Sequence, residues 1–308
     1  METLGPTELR RMQGLAQEVM AIRPGLLNAE ATLGELAWEW AKDFDTLNQF
    51  WRHRMWVVGD RLVGWGWVCL PFRIPRGDGT FRESRTATLR WQVHPDQPAL
   101  VHEVLDWFDE VAAGIDRMVI LQTADEAAQP IAADHGFKID EDDEDWIQFN
   151  SRRLDELADP ILPAGHRFLS ASEVTTDDAV EAHRSAWDRS PFNVKAFERV
   201  QQTWPYRPDL HVLVEAPDGT LAATAIIWLD QATRTAQFEP VGTHRDHRRQ
   251  GLGKALQLYG MHQAKAVGAD HMFVACLGAE QHPAARDMYY DVGFRPLTRD
   301  LIHTKAAD

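Results

Sequence analysis

Short apolar segments separated by tight-turn residues predict a β-hairpin in each half of the chain. The first hairpin turns at Gly59-Asp60 and the second at Asp218-Gly219. Glycine paired with aspartate is typical of two-residue hairpin turns, because these residues tolerate the positive φ angles that such turns require. We therefore expect an antiparallel strand pair in each half.

The same order of elements follows both hairpins. A strand leads into an amphipathic helix, predicted over residues 99–113 in the first half and 252–267 in the second. A second apolar strand then leads to a short helix that ends in Gly-Phe, at Gly136-Phe137 and again at Gly293-Phe294, 157 positions later. Strands that alternate with helices are typical of α/β folds, and the repetition predicts two copies of one domain.

Domain boundaries follow from the repeat. We expect a first domain over residues 1–155, a linker over 156–165 and a second domain over 166–308, because two prolines and a glycine lie close together in the linker. A final strand is predicted near the end of each copy, around residues 146–149 and 301–304.

The balance of charge narrows the range of partners. Acidic residues outnumber basic ones, which gives the 308-residue chain a formal net charge of −15 at pH 7. Such a chain is a poor general binder of nucleic acid or of anionic membranes, and its apolar segments fall short of the ~20 residues that span a bilayer. No secretory signal is visible, and Cys69 and Cys276 are the only cysteines. We therefore expect a cytoplasmic protein without disulfide bonds.

The stretch from Val241 to Leu256 carries the clearest chemistry. A predicted strand runs into the string Arg248-Arg249-Gln250-Gly251-Leu252-Gly253, and a helix follows at once. Glycines let the backbone approach a ligand closely, and the free N–H groups and dipole of a helix N-terminus attract anions. With Arg248, Arg249 and Lys254 in place, a diphosphate is the ligand best suited to this loop. The alternative is that the two arginines are a solvated pair.

This R-x-x-G-x-G string resembles the acyl-CoA pyrophosphate loop of the GCN5-related N-acetyltransferases (GNAT). After the next strand, Ala284 to Phe294 resembles the family's helix in which three residues separate a tyrosine from Gly-Phe, and Tyr289 occupies that position. The motifs cover about residues 165–308, and the element order of residues 30–150 fits the same fold. The resemblance implies the fold class α/β (α+β), with a twisted, mixed and mostly antiparallel sheet and flanking helices in each of two tandem domains.

The resemblance also implies transfer of an acetyl group from acetyl-CoA to a primary amine of a small molecule, by direct attack in a ternary complex. Such a reaction needs a base for the amine, donors for the oxyanion and an acid for the departing thiolate. Glu239 stands on the strand before the loop, where several members place a base, and Tyr289 is the candidate acid. The alternatives are a solvated carboxylate at Glu239 and a core role for Tyr289, with Tyr290 as the functional tyrosine.

The residues expected to hold acetyl-CoA follow from the same resemblance. Pro240 cannot donate to a sheet ladder, so the strand should be bulged or open there. The backbone of the next three residues, Val241, Gly242 and Thr243, would then bind the pantetheine arm. The other candidates are Arg248, Arg249, Gln250, Gly251, Leu252, Gly253, Lys254 and His282. His282 departs from the family pattern, because many members carry asparagine there.

The acceptor is expected to contact the first helices of the second copy and the loop between them. The candidates are Trp187, Asp188, Phe192, Trp204 and Tyr206. An aromatic and acidic set suits an amine with an apolar body, although these residue types are also typical of a protein core. His244 and His247 have the spacing of metal ligands, but no set of histidines and carboxylates surrounds them, so no metal is predicted.

The first copy lacks both signatures. Where the second copy has its glycine-rich loop, the first has Pro98-Ala99-Leu100-Val101, preceded by Asp96, and Ala132 stands where the second copy has Tyr289. Proline removes a backbone N–H group, and an aspartate repels a diphosphate. We expect a degenerate copy that does not bind CoA in the normal way and that helps to shape the acceptor pocket.

Two alternatives to a small-molecule N-acetyltransferase remain open. Tandem copies with an active second half also resemble mycothiol synthase, which acetylates a cysteinyl amine. A sensor or scaffold that binds CoA without turnover would need the same loop. A homodimer is compatible with the sequence but is not required by it.

Overall fold

A computed structural model describes residues 4–24, 31–76, 78–141, 146–187, 190–281 and 283–307 of the chain. The chain forms two compact units, and each unit is built from segments that are not contiguous in the sequence. The first unit comprises Met1–Leu36, Asp43–Ile147 and Thr298–Asp308, and the second comprises Ala37–Lys42 and Gln148–Leu297. Each unit combines a mixed sheet with flanking helices, which confirms the expected fold class.

The helices and strands alternate as the sequence pattern predicts. The described helices are α1 (Pro6–Ile22), α2 (Leu33–Leu47), α3 (Leu100–Val111), α4 (Ala128–Asp134), α5 (Thr176–Ala186), α6 (Val194–Gln202), α7 (Leu252–Ala266) and α8 (Pro283–Asp291). The described strands are β1 (Trp51–Val58), β2 (Arg61–Cys69), β3 (Phe72–Pro75), β4 (Phe81–Ser84), β5 (Ala87–Val93), β6 (Arg117–Gln122), β7 (Lys138–Ile139), β8 (Ile147–Arg153), β9 (Arg167–Ser170), β10 (His211–Glu215), β11 (Leu221–Asp230), β12 (Thr235–Thr243), β13 (His271–Leu277) and β14 (Arg295–Lys305). Both predicted hairpins form, as β1–β2 and β10–β11. Among the described helices, none is long and apolar enough to cross a membrane.

The sheet of the first unit has the strand order β1-β2-β5-β6-β14. Neighbouring strands are antiparallel except for β5 and β6, which are parallel. That parallel ladder is short, because it joins only Ala87–Leu89 to Arg117–Val119. Helix α3 packs against β2 and β5 over a buried cluster that includes Trp56, Trp91 and Trp107.

The sheet of the second unit has the strand order β8-β13-β12-β11-β10-β9. Its central strand β11 is buried along nearly all of its length, as expected for a strand that is covered on both faces. Helices α5 and α7 supply that cover, since both pack against β11 and β12. A Cβ atom at Gly260 of α7 would lie 2.7 Å from the ring of Phe238 on β12, so this glycine permits the close approach of helix and strand.

The last strand of each half lies in the unit that the other half mainly forms. Strand β8 joins β13 of the second unit, and residues 300–305 of β14 pair with β6 of the first. Buried polar contacts hold β14 in place. The guanidinium of Arg117, which is 1% exposed, donates to the carbonyl oxygen of Ala306 at 3.0 Å and pairs with Asp109 at 2.7 Å. The pattern of apolar residues predicts both strands but does not reveal which sheet each one joins.

Truncation of the chain after Leu297 tests this exchange. We expect the amide protons of β6 to lose protection against hydrogen exchange by about tenfold or more. The reason is that β6 loses the ladder it shares with Asp300–Lys305, and Arg117 loses its carbonyl acceptor. The amides where β12 meets β13 are an internal control, because both strands remain. Unchanged protection of β6 would contradict the exchange.

Candidate functional site

The parallel strands β12 and β13 separate beside Glu239. Their ladder joins Thr235–Phe238 to His271–Val274 and goes no further in the described part of the chain. On its other side β12 stays paired with β11, across a bulge opposite Glu239 and Pro240. The prediction that Pro240 bulges or opens the strand is confirmed. The backbone of residues 241–243 therefore bonds to β11 on one edge and presents its other edge to the gap.

The bulge also changes the face toward which each residue of β12 points. Before the bulge, Phe238 pairs with Ile227 and packs on α7. After it, Gly242 pairs with Thr224 and faces the C-terminal end of α5. A Cβ atom at Gly242 would lie 2.6 Å from the Cβ of Ala186. The packing of α5 therefore requires glycine at this position.

The carboxyl group of Glu239 lies in a poorly solvated environment. Burial, reinforced by the carboxylate of Glu39 and opposed by Lys42, raises the pKa of Glu239 to about 7. The indole N–H of Trp228 donates to the carbonyl oxygen of Glu239 at 2.6 Å and fixes the backbone at the bulge. Glu39 and Lys42 lie on α2 and form an ion pair with each other. A carboxyl group with a pKa near neutrality suits the role of a general base.

The loop between β12 and α7 has the backbone conformation of an anion site. Arg249 and Gly251 both have positive φ angles, of 65° and 81°. Such left-handed residues among right-handed ones turn neighbouring N–H groups toward one point, which is the arrangement called a nest. Helix α7 begins at Leu252, so its first N–H groups have no acceptor within the helix. A Cβ at Gly251 would meet no atom of the described chain within 4 Å, so its φ angle, not its packing, favours glycine.

The basic residues around this loop have different partners. Arg248 donates from Nη2 to the carbonyl oxygen of Ala186 at 2.8 Å and so holds the C-terminal end of α5. Lys254 forms an ion pair with Asp291 at the surface. Arg249 is exposed and forms part of the nest. Exposed ion pairs contribute at most about 1 kcal/mol, so Lys254 can exchange its partner for a bound anion at little cost.

Helix α8 places Tyr289 on the buried side of the loop. A Cβ at Gly253 of α7 would lie 2.6 Å from a sulfur atom of α8, so this glycine permits the two helices to meet. Tyr289 is 5% exposed and contacts Phe294 edge to face, with ring centroids 5.9 Å apart. Burial raises the pKa of its phenol well above the ordinary value, and Cys276 and Glu239 add to the shift. The phenol therefore stays protonated and can donate a hydrogen bond.

The charge of Glu239 contributes to the raised pKa of the Tyr289 phenol. The two predicted catalytic side chains therefore lie in the same region of the second unit. The neighbouring Tyr290 is only half-buried, and burial raises its pKa as well. Two other predicted site residues, Asp188 and His282, lie outside the described residues. Gln250 lies on the loop and is exposed.

An aromatic cluster surrounds His183 at the end of α5. Trp187 stacks on this imidazole with centroids 4.4 Å apart, and Phe192 contacts it at 4.5 Å. Trp38 of α2 lies 5.1 Å from Phe192. Burial lowers the pKa of His183 to about 4, and Lys42 adds to the shift, so the imidazole is neutral at pH 7.

Tyr206 lies in a second aromatic cluster. Its hydroxyl group is 3.2 Å from Nδ1 of His211, and its ring stands edge-on to Trp228 at 6.2 Å. Burial lowers the pKa of His211 to about 3 and raises that of Tyr206 above its ordinary range. Because Trp228 also holds the backbone of Glu239, this cluster adjoins the bulge. Trp204 is 39% exposed.

The contribution of α2 to this region is not predicted by the sequence. A segment of this helix, Ala37–Lys42, belongs to the second unit and includes Trp38 and Glu39. Its residues precede Glu239 by about 200 positions, so no local motif connects them. His183 and His211 were missed as well, because they occur within an ordinary amphipathic helix and an ordinary strand.

The second half of the chain matches a known family. The model of the Acetyltransferase (GNAT) family matches residues 175–294, which include the gap beside β12, the nest, α7 and Tyr289. Comparison with curated protein sequences found no match.

Solved structures with the same fold cover nearly the whole chain. A tandem GNAT protein from the clavulanic acid biosynthesis pathway, solved without AcCoA, is 17% identical with a TM-score of 0.65, and the match covers 100% of this chain and 97% of that one. A GCN5-related N-acetyltransferase from Sphaerobacter thermophilus is 16% identical with a TM-score of 0.60, covering 99% and 94%. An acetyltransferase of the GNAT family from Colwellia psychrerythraea is 16% identical with a TM-score of 0.56, covering 99% and 97%. The GNAT family model therefore matches residues 175–294, and the chain as a whole has the fold of these solved structures.

Proposed function

We propose that this protein transfers an acetyl group from acetyl-CoA to a primary amine of a small molecule. One observation carries the proposal, namely the gap beside residues 239–243. It brings together an unpaired strand edge and a carboxyl group whose pKa is about 7, and the anion-binding loop follows directly. Direct attack by the amine in a ternary complex needs only these groups and a donor for the leaving sulfur.

The residues present fit acetyl-CoA from its diphosphate to its thioester. The nest at Arg249–Gly251 and the first turn of α7 supply N–H donors for a diphosphate, and the side chains of Arg249 and Lys254 supply positive charge. The free edge of residues 241–243 supplies N–H and C=O groups for the amides of a pantetheine arm. When bound, acetyl-CoA supplies an activated acyl group whose carbonyl carbon accepts the amine.

Glu239 is the proposed proton acceptor. An alkylammonium group has a pKa near ~10, so at pH 7 it has to lose a proton before the nitrogen can attack. The Glu239 carboxylate can accept that proton directly or through a water molecule. With its pKa raised to about 7, it is a stronger base than a solvated glutamate.

Tyr289 is the proposed donor to the departing sulfur. A thiol has a pKa near ~8.5, which lies below the raised pKa of this buried phenol. Complete proton transfer from the phenol is therefore uphill, whereas a hydrogen bond from Oη stabilises the thiolate without transfer. We assign this hydrogen bond to Tyr289 as its role while the carbon–sulfur bond breaks.

The acceptor side of the proposed site suits a cation with an apolar body. Trp187, Phe192 and Tyr206 supply aromatic surface, and Glu39 and Glu239 supply acidic groups. The histidines of both clusters have lowered pKa values and are neutral at pH 7, so they do not repel an ammonium group.

Replacement of Gly251 by valine should weaken acetyl-CoA binding. A β-branched residue at a φ angle of 81° is strained by about 1–2 kcal/mol, so the loop relaxes and its N–H groups lose their common direction. In a calorimetric titration we expect about one site per wild-type chain and roughly tenfold weaker binding by the variant.

Gly268→Val is a matched control for this variant. Gly268 has a φ angle of 103°, follows the other end of α7, and a Cβ there would likewise meet no described atom within 4 Å. It should lose similar stability and keep its affinity for acetyl-CoA. Equal affinity of Gly251→Val and the wild type would contradict the assignment of the nest, and two sites per chain would show that the first unit also binds.

Replacement of Glu239 by glutamine should lower kcat/KM for the amine by about 100-fold at pH 7. The base acts when deprotonated, so wild-type activity should rise as the pH increases through about 7, the pKa of Glu239. The variant should lose that rise. The control is Glu215→Gln on β10, which removes a surface ion pair with Arg167 of β9. A rise near pH 7 that persists in Glu239→Gln would assign it to another group and would remove Glu239 as the base.

Replacement of Tyr289 by phenylalanine should lower kcat by roughly tenfold or more and leave the KM for acetyl-CoA nearly unchanged, because the hydroxyl acts mainly as charge develops on sulfur. Tyr290→Phe is the matched control on the same helix. If only Tyr290→Phe loses activity, the functional tyrosine is Tyr290. If acetyl-CoA binds but no amine in a broad panel releases thiol, the result favours a CoA-binding sensor instead.

A further inference from the structure

The first unit contains a cavity in the wedge between its own parallel strands. Strands β5 and β6 stop pairing after Leu89 and Val119. Beyond that point lies a cavity of about 180 Å³, lined by residues 91–94 of β5 and the following turn and by residues 120–122 of β6. The wedge is thus present although this copy lacks the glycine-rich loop. Pro98 lies in its lining, where it offers no N–H group to an anion.

Two buried side-chain oxygens in this lining have no hydrogen-bond donor among the described residues. They are Oε1 of Gln92 and Oε1 of Gln122, in side chains that are 8% and 3% exposed. The side-chain nitrogen of Gln122 donates to Asp300. The oxygen of the same amide group is therefore the atom that a ligand in the cavity could contact. Because a buried amide oxygen without a donor is costly, both positions favour a ligand that carries N–H or O–H groups.

Opposite charges also lie in the lining of this cavity. Asp125 accepts a hydrogen bond from the backbone N–H of Ala128 at 3.2 Å and so caps α4, and it lines the cavity together with Arg23 of the segment after α1. Burial raises the pKa of Asp125, and the positive charge of Arg23 is among the opposing influences. A ligand ammonium group would give this carboxylate a closer countercharge. The rest of the wall is largely apolar and includes Val19 and Val101.

The dimensions of the cavity set the size of its ligand. An apolar cavity of about 150 Å³ holds a benzene molecule, so a cavity of about 180 Å³ accommodates a branched alkyl group or a ring with a short polar end. The amide oxygens and Asp125 suit an ammonium group, Arg23 suits a carboxylate, and the apolar wall suits a hydrocarbon side chain. We propose that the first unit binds a free α-amino acid with an apolar side chain of medium size, the class of leucine, in this cavity.

The test is a calorimetric titration of the full-length protein with L-leucine and with two analogues that each lack one charge. We expect 3-methylbutylamine, which lacks the carboxylate, and 4-methylpentanoate, which lacks the ammonium group, to bind at least about tenfold more weakly than leucine. Equal binding of leucine and either analogue would overturn the assignment of an amino acid. No heat and no saturation-transfer signal with leucine or phenylalanine at millimolar concentration would mean that water fills the cavity, and would overturn the proposal.

Variants locate the site within the chain. Gln92→Leu removes one amide oxygen at nearly constant shape, and Asp125→Asn removes the charge while keeping an oxygen to cap α4. Each should weaken leucine binding by about tenfold. Val101→Phe, which fills the cavity, should abolish binding, and its fold is checked by thermal unfolding.

Trp187→Ala in the second unit is the control, because leucine is itself an amine and could enter the proposed acceptor site. It should leave leucine binding unchanged. Binding that is lost in Trp187→Ala but kept in Gln92→Leu and Asp125→Asn would place leucine in the second unit and would overturn the proposal. The inference does not depend on acetyl transfer, since every readout is binding.

Discussion

The end of hydrogen bonding between β12 and β13 at Phe238 is the constraint on which the rest of the proposed site depends. Pro240 has no N–H group to continue the ladder, and the bulge opposite β11 absorbs the extra length of strand. Because the strands part there, the backbone after the bulge has a free edge and the Glu239 carboxyl group lies where little water reaches it. The Trp228 indole holds this geometry by its bond to the Glu239 carbonyl.

Residues of the loop motif serve packing as well as the proposed ligand binding. Gly251 alone among the site glycines is set by its φ angle, whereas Gly253 and Gly242 are set by the approach of α8 and α5. Arg248 is likewise held by a carbonyl oxygen of α5. A substitution at Gly242, Gly253 or Arg248 can therefore act by loosening a helix rather than by removing an anion contact.

Local patterns in the sequence predicted much of the second unit. Short apolar segments gave its strands, the Asp218-Gly219 turn gave its hairpin, and Pro240 alone marked the place where β12 opens. Those signals are local because each acts through the backbone of its own segment. The sequence does not predict the role of α2, because the segment that carries Trp38 and Glu39 has the pattern of an ordinary amphipathic helix. Only the tertiary fold shows that this segment belongs to the second unit.

The sequence also does not reveal to which unit β8 and β14 each belong. Both copies end in a strand, and the residue types of β8 and β14 would allow either strand to pair with the edge of either sheet. Only the three-dimensional arrangement, in which Arg117 reaches the carbonyl oxygen of Ala306, distinguishes the two pairings. The cavity of the first unit is not predictable for a related reason, because Gln92 and Gln122 are separated by a helix in the sequence and line one cavity only where the two strands diverge.

The exchange of terminal strands has a consequence for how the protein is made. Residues 298–308 belong to the first unit but are synthesised after the residues of the second unit. At about 5–20 residues per second, the ribosome needs roughly 7–28 seconds to add the 141 residues, 154–294, that lie between β8 and β14. Throughout that interval β6 has an open edge, which is a surface prone to pairing with other chains. The first half of this protein is therefore exposed to edge-to-edge pairing until β14 has been synthesised.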